Sequence, residues 1–143
     1  MSLKVDIILL QETWLLHGNL GRLAHINNDY LSYGISGVTN EDLLYGRPYG
    51  GLGILWHKSH VSSIKPVQKE YFKTNRICAV EISSQSEKYL ILNVYMPNDN
   101  MLKHHIADDF LTVCDEIEVA LNEFSQHKII IGGDLNIDFS RGP

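Results

Sequence analysis

Four side chains able to do chemistry stand where apolar runs give out. Glu12 follows VDIILLQ, Tyr95 ends LILNVY, and Asp134 and Asn136 follow KIIIGG. One polar strand end means little, because strands normally exit into water; three such endings in one chain make a candidate site. The residue types narrow the chemistry. Mg²⁺, or Mn²⁺ in its place, is a hard cation that takes oxygen ligands, usually one or two carboxylates with several waters retained. Glu12 suits that role. Asp134 can orient or deprotonate a water for attack on phosphorus, and Asn136, two residues on and on the same face of an extended segment, can hold that water or a phosphate oxygen. Tyr95 can donate a hydrogen bond to charge developing on phosphorus. Asn98, just beyond Pro97, can bind a neighbouring phosphate. Arg47 and Arg76 can touch phosphate or simply keep loops soluble.

Each has an ordinary explanation as well. Glu12 can be a solvated strand end, Asp134-Leu135-Asn136 a turn after two glycines, Tyr95 a half-buried strand tyrosine, and Asn98 a helix cap. The seven histidines lack spacing for a zinc site. His57 and His60 stand at a strand end, and His104 and His105 fall in a first helical turn.

The elements that must position these groups are readable from periodicity. Residues 5–10, 30–36, 50–57, 61–68, 77–83 and 89–95 are strand candidates rich in β-branched and aromatic residues, the last two joined as a hairpin through the polar segment 84–88. Residues 14–28 have apolar residues at roughly helical spacing, weakened by Gly18 and Gly21, so a short helix is expected. Residues 37–48 read as an exposed loop. Gly50-Gly51 bends the chain into the following strand and is no phosphate-binding P-loop, since no Gly-Lys-Ser/Thr closes it. From Ile106 to Phe124 apolar residues recur at steps of three and four, the cleanest amphipathic helix in the chain. Ile129-Ile130-Ile131 then reads as a strand buried on both faces. Strands, a long helix and a final strand make an α/β protein rich in hairpins.

Composition sets bounds. A chain of 143 residues, 44% hydrophobic, suits one domain spanning 1–143, with no repeat or low-complexity tract. No run approaches the roughly 18 apolar residues of a membrane span. The first residues lack a secretory signal, which points to an intracellular protein, and Cys78 and Cys114 read as small buried residues of a reducing compartment. Net charge is −5, from 17 acidic and 12 basic residues. Binding to DNA through charge alone is therefore excluded; any nucleic acid must be met by local basic groups, hydrogen bonds or a bridging cation.

Taken in order, Gln11-Glu12-Thr13-Trp14, Gly50-Gly51-Leu52-Gly53-Ile54-Leu55, Asn93-Val94-Tyr95-Met96-Pro97-Asn98 and Gly132-Gly133-Asp134-Leu135-Asn136 resemble the endonuclease/exonuclease/phosphatase superfamily. Gly46-Arg47-Pro48-Tyr49-Gly50-Gly51 and Asn75-Arg76-Ile77 are most similar to the endonuclease domain of retrotransposons lacking long terminal repeats. The resemblance implies two mixed β-sheets packed face to face with helices outside, and Mg²⁺-dependent hydrolysis of a phosphodiester in DNA. It places the metal-binding glutamate on Glu12, the phosphate-facing tyrosine on Tyr95, the asparagine after the proline on Asn98, and the aspartate–asparagine pair on Asp134 and Asn136. It also implies an earlier strand bearing an asparagine, a further aspartate and a terminal Ser-Asp-His, none of which this sequence contains. The expectation is thus an incomplete two-sheet sandwich, truncated at both ends and weakly active or inactive. Two alternatives stay open: a non-catalytic remnant that binds another chain through uncovered strand edges, and a phosphoinositide or sphingolipid phosphoesterase.

Overall fold

The computed structural model describes residues 5–38, 49–60, 63–97 and 105–136, the side chains of 105–107 excepted. Arg47 and Asn98 lie outside them. Two sheets carry the fold. One is antiparallel, in the order β1-β3-β2, from β1 (Ile7–Gln11), β2 (Tyr30–Ile35) and β3 (Leu52–His57). The other runs β4-β5-β6-β7, from β4 (Ile64–Pro66), β5 (Ile77–Ser83), β6 (Lys88–Tyr95) and β7 (Lys128–Asp134). Only the second sheet is mixed: β6 and β7 are parallel, and α1 (His105–Glu123) makes the crossover that a parallel pair needs. The β5–β6 hairpin is formed, Ser83 opposite Lys88.

Side-chain alternation along β5 and β6 divides the interior in two. Ile77, Ala79, Leu90, Leu92 and Val94 turn to α1, meeting Val113 and Ala120, with Ile117 and Phe124 completing the helix's apolar stripe. Cys78, Val80 and Ile91 turn the other way, against Ile35, Leu52, Ile54 and Trp56 of the antiparallel sheet. Asn93 and Tyr95 share the parity of Ile91 and so belong to the face between the sheets. That periodicity puts the phenol of Tyr95 at the sheet–sheet seam rather than under the helix.

Three expectations shift. The segment 14–28 forms a 3-10 helix, His17–His25, with Leu23 as its buried residue; two glycines and a narrow apolar face leave an α-helix too little to gain. The expected strand 61–68 shrinks to Ile64–Pro66 at a sheet edge, where a proline without an N–H is tolerated. The third correction matters most. The isoleucine run of β7 is not covered on both faces: Ile130 and Ile131 are 49% and 44% exposed. Among the described residues β7 has β6 as its single strand neighbour, so it is an edge strand whose two faces are each covered in part.

Candidate active site

β1, β6 and β7 end at the same end of the molecule, each carrying one polar group of interest. Tyr95 and Asp134 are register partners across the parallel β6–β7 pair, and side chains of register partners share a face. The Tyr95 hydroxyl donates to Oε1 of Glu12, tying the end of β6 to the turn that leaves β1. The two carboxylates therefore flank one phenol. That bond, followed by burial and by the charge of Glu12, pushes the Tyr95 hydroxyl up to about 12, with Asp134 adding a smaller upward push and Arg76 opposing. Tyr95 is thus a protonated donor at neutral pH. Arg76 lies against it, the guanidinium carbon 5.6 Å from the ring centroid and Nη1 3.4 Å from the Tyr95 carbonyl. Of the two arginines singled out in the sequence, this one is at the site.

The turn after β1 is held by the glycine bend before β3. The amides of Thr13 and Trp14 donate to the carbonyls of Gly51 and Gly50, at 3.2 and 2.9 Å. Gly51 has φ +88°, and a Cβ there would stand 2.6 Å from Thr13 Oγ1, so only glycine fits. Glu12 and Trp14 themselves have φ 51° and 55°. Left-handed backbone costs a non-glycine residue roughly 1–3 kcal/mol and gathers at functional sites. Among the described residues the one other such non-glycine position is Asn136, φ 49°. All three flank the same point.

Asp134 and Asn136 do form a turn, as the ordinary reading has it. The Asn136 amide donates to Asp134 Oδ1 at 3.0 Å, and its side-chain Nδ2 donates to the Met96 carbonyl at 2.6 Å. The turn locks the pair onto the segment after β6 and leaves Asn136 Oδ1 and the second carboxylate oxygen of Asp134 without a bond in this network. The two glycines before it serve packing. A Cβ on Gly132 would meet Leu9 Cδ1 at 2.7 Å, and one on Gly133 would meet the Val94 carbonyl oxygen at 2.0 Å.

The residue that sequence reasoning passed over is Asn93. It is fully buried and bridges the sheets: Oδ1 accepts from Gln11 Nε2 at 2.6 Å, while Nδ2 donates to the carbonyls of Leu10 at 2.9 Å and Gly53 at 3.0 Å. Its signal was an amide in the middle of an apolar strand, a residue that must find partners inside. With Asn93 holding β1, β3 and β6 together one turn of the pleat from Tyr95, the Glu12–Tyr95 contact is a consequence of the fold.

Several groups lie elsewhere. His60 pairs with Asp6 at 3.1 Å and His127 with Glu81 at 3.2 Å. The Cys78 thiol, buried, is pushed up to about 12 and is no nucleophile. An open cleft lined by His17, Tyr33, Gln68, Lys69 and Asn75 contains none of Glu12, Tyr95, Asp134 and Asn136. Among the described residues no group of three or more His, Cys, Asp or Glu side chains could hold a metal ion, and no helix is long and apolar enough to cross a membrane.

The sequence matches the Endonuclease/Exonuclease/phosphatase family over residues 2–143. The chain belongs to that family. No curated protein matches it. Among solved structures it is similar to the AP endonuclease LMAP from Leishmania major, with a TM-score of 0.70 at 16% identity, covering 94% of this chain and 47% of that one. It is similar as well to a 3′ phosphatase, NExo, from Neisseria bound to product DNA hairpin (0.59, 18%, covering 92% and 48%). A third is the endonuclease domain of TRAS1, a telomere-specific non-LTR retrotransposon (0.58, 15%, 96% and 49%). These likenesses establish the fold, two packed sheets with helix outside. The chain spans about half the length of the structures it matches.

Proposed function

We propose that this chain hydrolyses phosphodiester bonds in DNA with the help of a divalent cation, as a retroelement-type endonuclease domain. The observation that carries the reading is the meeting of Glu12, Tyr95 and Asp134 at one end of the sandwich, through the Glu12–Tyr95 hydrogen bond and the Tyr95–Asp134 register. The donor set fits a hard cation, since carboxylate, phenol and amide oxygens surround the point and neither sulfur nor imidazole does. Glu12 would hold Mg²⁺ or Mn²⁺, whose bound charge would offset that of the phosphodiester. Asp134 accepts the proton of an attacking water. Asn136 holds that water or a phosphate oxygen, and Tyr95 donates to the charge growing on phosphorus. Asn98 and Arg47, outside the described residues, contact neighbouring phosphates, as does Arg76. Local cations are needed because the chain as a whole is acidic. DNA is favoured as substrate over a lipid phosphate by the family and by the DNA-processing proteins whose folds this one shares.

The test is nicking of supercoiled plasmid in Mg²⁺. Slow nicking is expected, abolished by chelation and by Asp134→Ala, because residues acting as a unit fail together. Nicking that survives Asp134→Ala refutes the assignment. A second reading, a module that binds another chain, is favoured by the exposed isoleucines of β7.

A further inference from the structure

We propose that β7 is the interface of a symmetric homodimer, pairing antiparallel with the β7 of a second copy. Its outer edge is open among the described residues. Ile130 and Ile131, on opposite faces of the strand, are each about half exposed, and Leu135 just beyond is 39% exposed. A seven-residue edge with apolar side chains on both faces and no inward charge is what a neighbouring strand completes.

The occupant follows from the strand's own sequence. In KIIIGGD, antiparallel pairing about a two-fold axis at Ile131 sets Lys128 opposite Asp134 of the other copy, Ile129 opposite Gly133, Ile130 opposite Gly132, and Ile131 opposite itself. Opposite charges meet at both ends, and each large side chain faces a residue with none. Backbone polarity agrees. The Met96 amide donates to the Asp134 carbonyl at 2.9 Å, so the even-numbered residues of β7 turn their backbone groups to β6. Alternation then turns Ile129, Ile131 and Gly133 outward. The register centred on Ile131 pairs outward residues with outward residues, so the new ladder bonds are exchanged at 131 with 131 and at 129 with 133.

The symmetry is consistent with the layers as well. A two-fold perpendicular to the sheet keeps both α1 helices on one side and both antiparallel sheets on the other. It would yield one continuous eight-stranded sheet, twice the four strands of one copy. Two copies also supply about the length of polypeptide in the structures that share this fold, of which one chain covers 47–49%. Lys128 already bonds Glu87; an ammonium has three donors and can serve both carboxylates. The pairing brings that lysine to Asp134, so each copy places a cation at the candidate site of the other.

Sedimentation velocity on the 143-residue chain across a concentration series tests this. A concentration-dependent dimer is expected. Ile131→Lys, which sets two ammonium groups face to face on the axis and removes both apolar contacts, should raise the dissociation constant about tenfold or more. Lys128→Glu alone should weaken the dimer, and Lys128→Glu combined with Asp134→Lys should restore it, with circular dichroism confirming that each variant is folded. A chain monomeric at every concentration, which would assign the β7 edge to some other polypeptide, overturns the proposal. So does a dimer indifferent to these changes.

Discussion

Replacing Asn93 by leucine, a side chain of similar volume without polar atoms, separates the role of its hydrogen bonds from that of its bulk. Asn93 makes three bonds, to Gln11, Leu10 and Gly53, from a fully buried position. At about 1 kcal/mol net for each bond the loss is about 3 kcal/mol. The carbonyls of Leu10 and Gly53 also lose a donor, which raises the expectation to about 3–5 kcal/mol. Against a total stability on the order of 5–15 kcal/mol, that is a large fraction. Urea unfolding should show a lower midpoint with an unchanged slope, and thermal unfolding a drop of about 10 °C. Gln11→Ala, which removes one of the bonds, should cost about 1 kcal/mol. A leucine variant within about 1 kcal/mol of the parent would refute the idea that this amide pins the two sheets together at the site.

Three further outcomes follow from the same geometry. Gly133→Ala, at φ +129° with the new Cβ 2.0 Å from the Val94 carbonyl oxygen, should prevent β7 from docking on β6, whereas Gly18→Ala, with nothing within 4 Å, should leave stability within about 0.5 kcal/mol; thermal unfolding of the pair decides. In a phenolate absorbance titration Tyr95 should ionise near 12, and Glu12→Ala should move it back toward 10, since the bond to Glu12 is the main cause of the rise. Tyr33 and Tyr71 are raised to about 12 too. The unfolded chain gives up these protons near pH 10 while the folded chain keeps them, so stability is full below pH 10 and falls between about 10 and 12. Alkaline unfolding curves rising across that window would contradict the sign.

How much of this was legible in the sequence depends on what each residue had to satisfy. Glu12, Tyr95 and Asp134 stood out because an apolar run that stops at an oxygen-bearing side chain places it at a strand end, and the ends converged. The bend at Gly50-Gly51 was legible as a bend, but its purpose, receiving the amides of Thr13 and Trp14, depends on pairing between β1 and β3 that no local pattern encodes. Asn93 was invisible for the opposite reason: a buried amide in a strand looks like an interruption until its partners, more than 80 residues away in two of three bonds, are known. The isoleucines of β7 misled because β-branched runs suit buried strands and strands at an uncovered edge alike, and only the neighbours tell them apart.

The central claim is that Glu12, Tyr95 and Asp134 together form a divalent-cation site, and Mn²⁺ titration followed by amide line broadening tests it most directly. The account predicts broadening centred on Glu12, Thr13, Tyr95 and Asp134, with affinity reduced at least about tenfold in Glu12→Gln. Broadening centred elsewhere, or unchanged by Glu12→Gln, would contradict it.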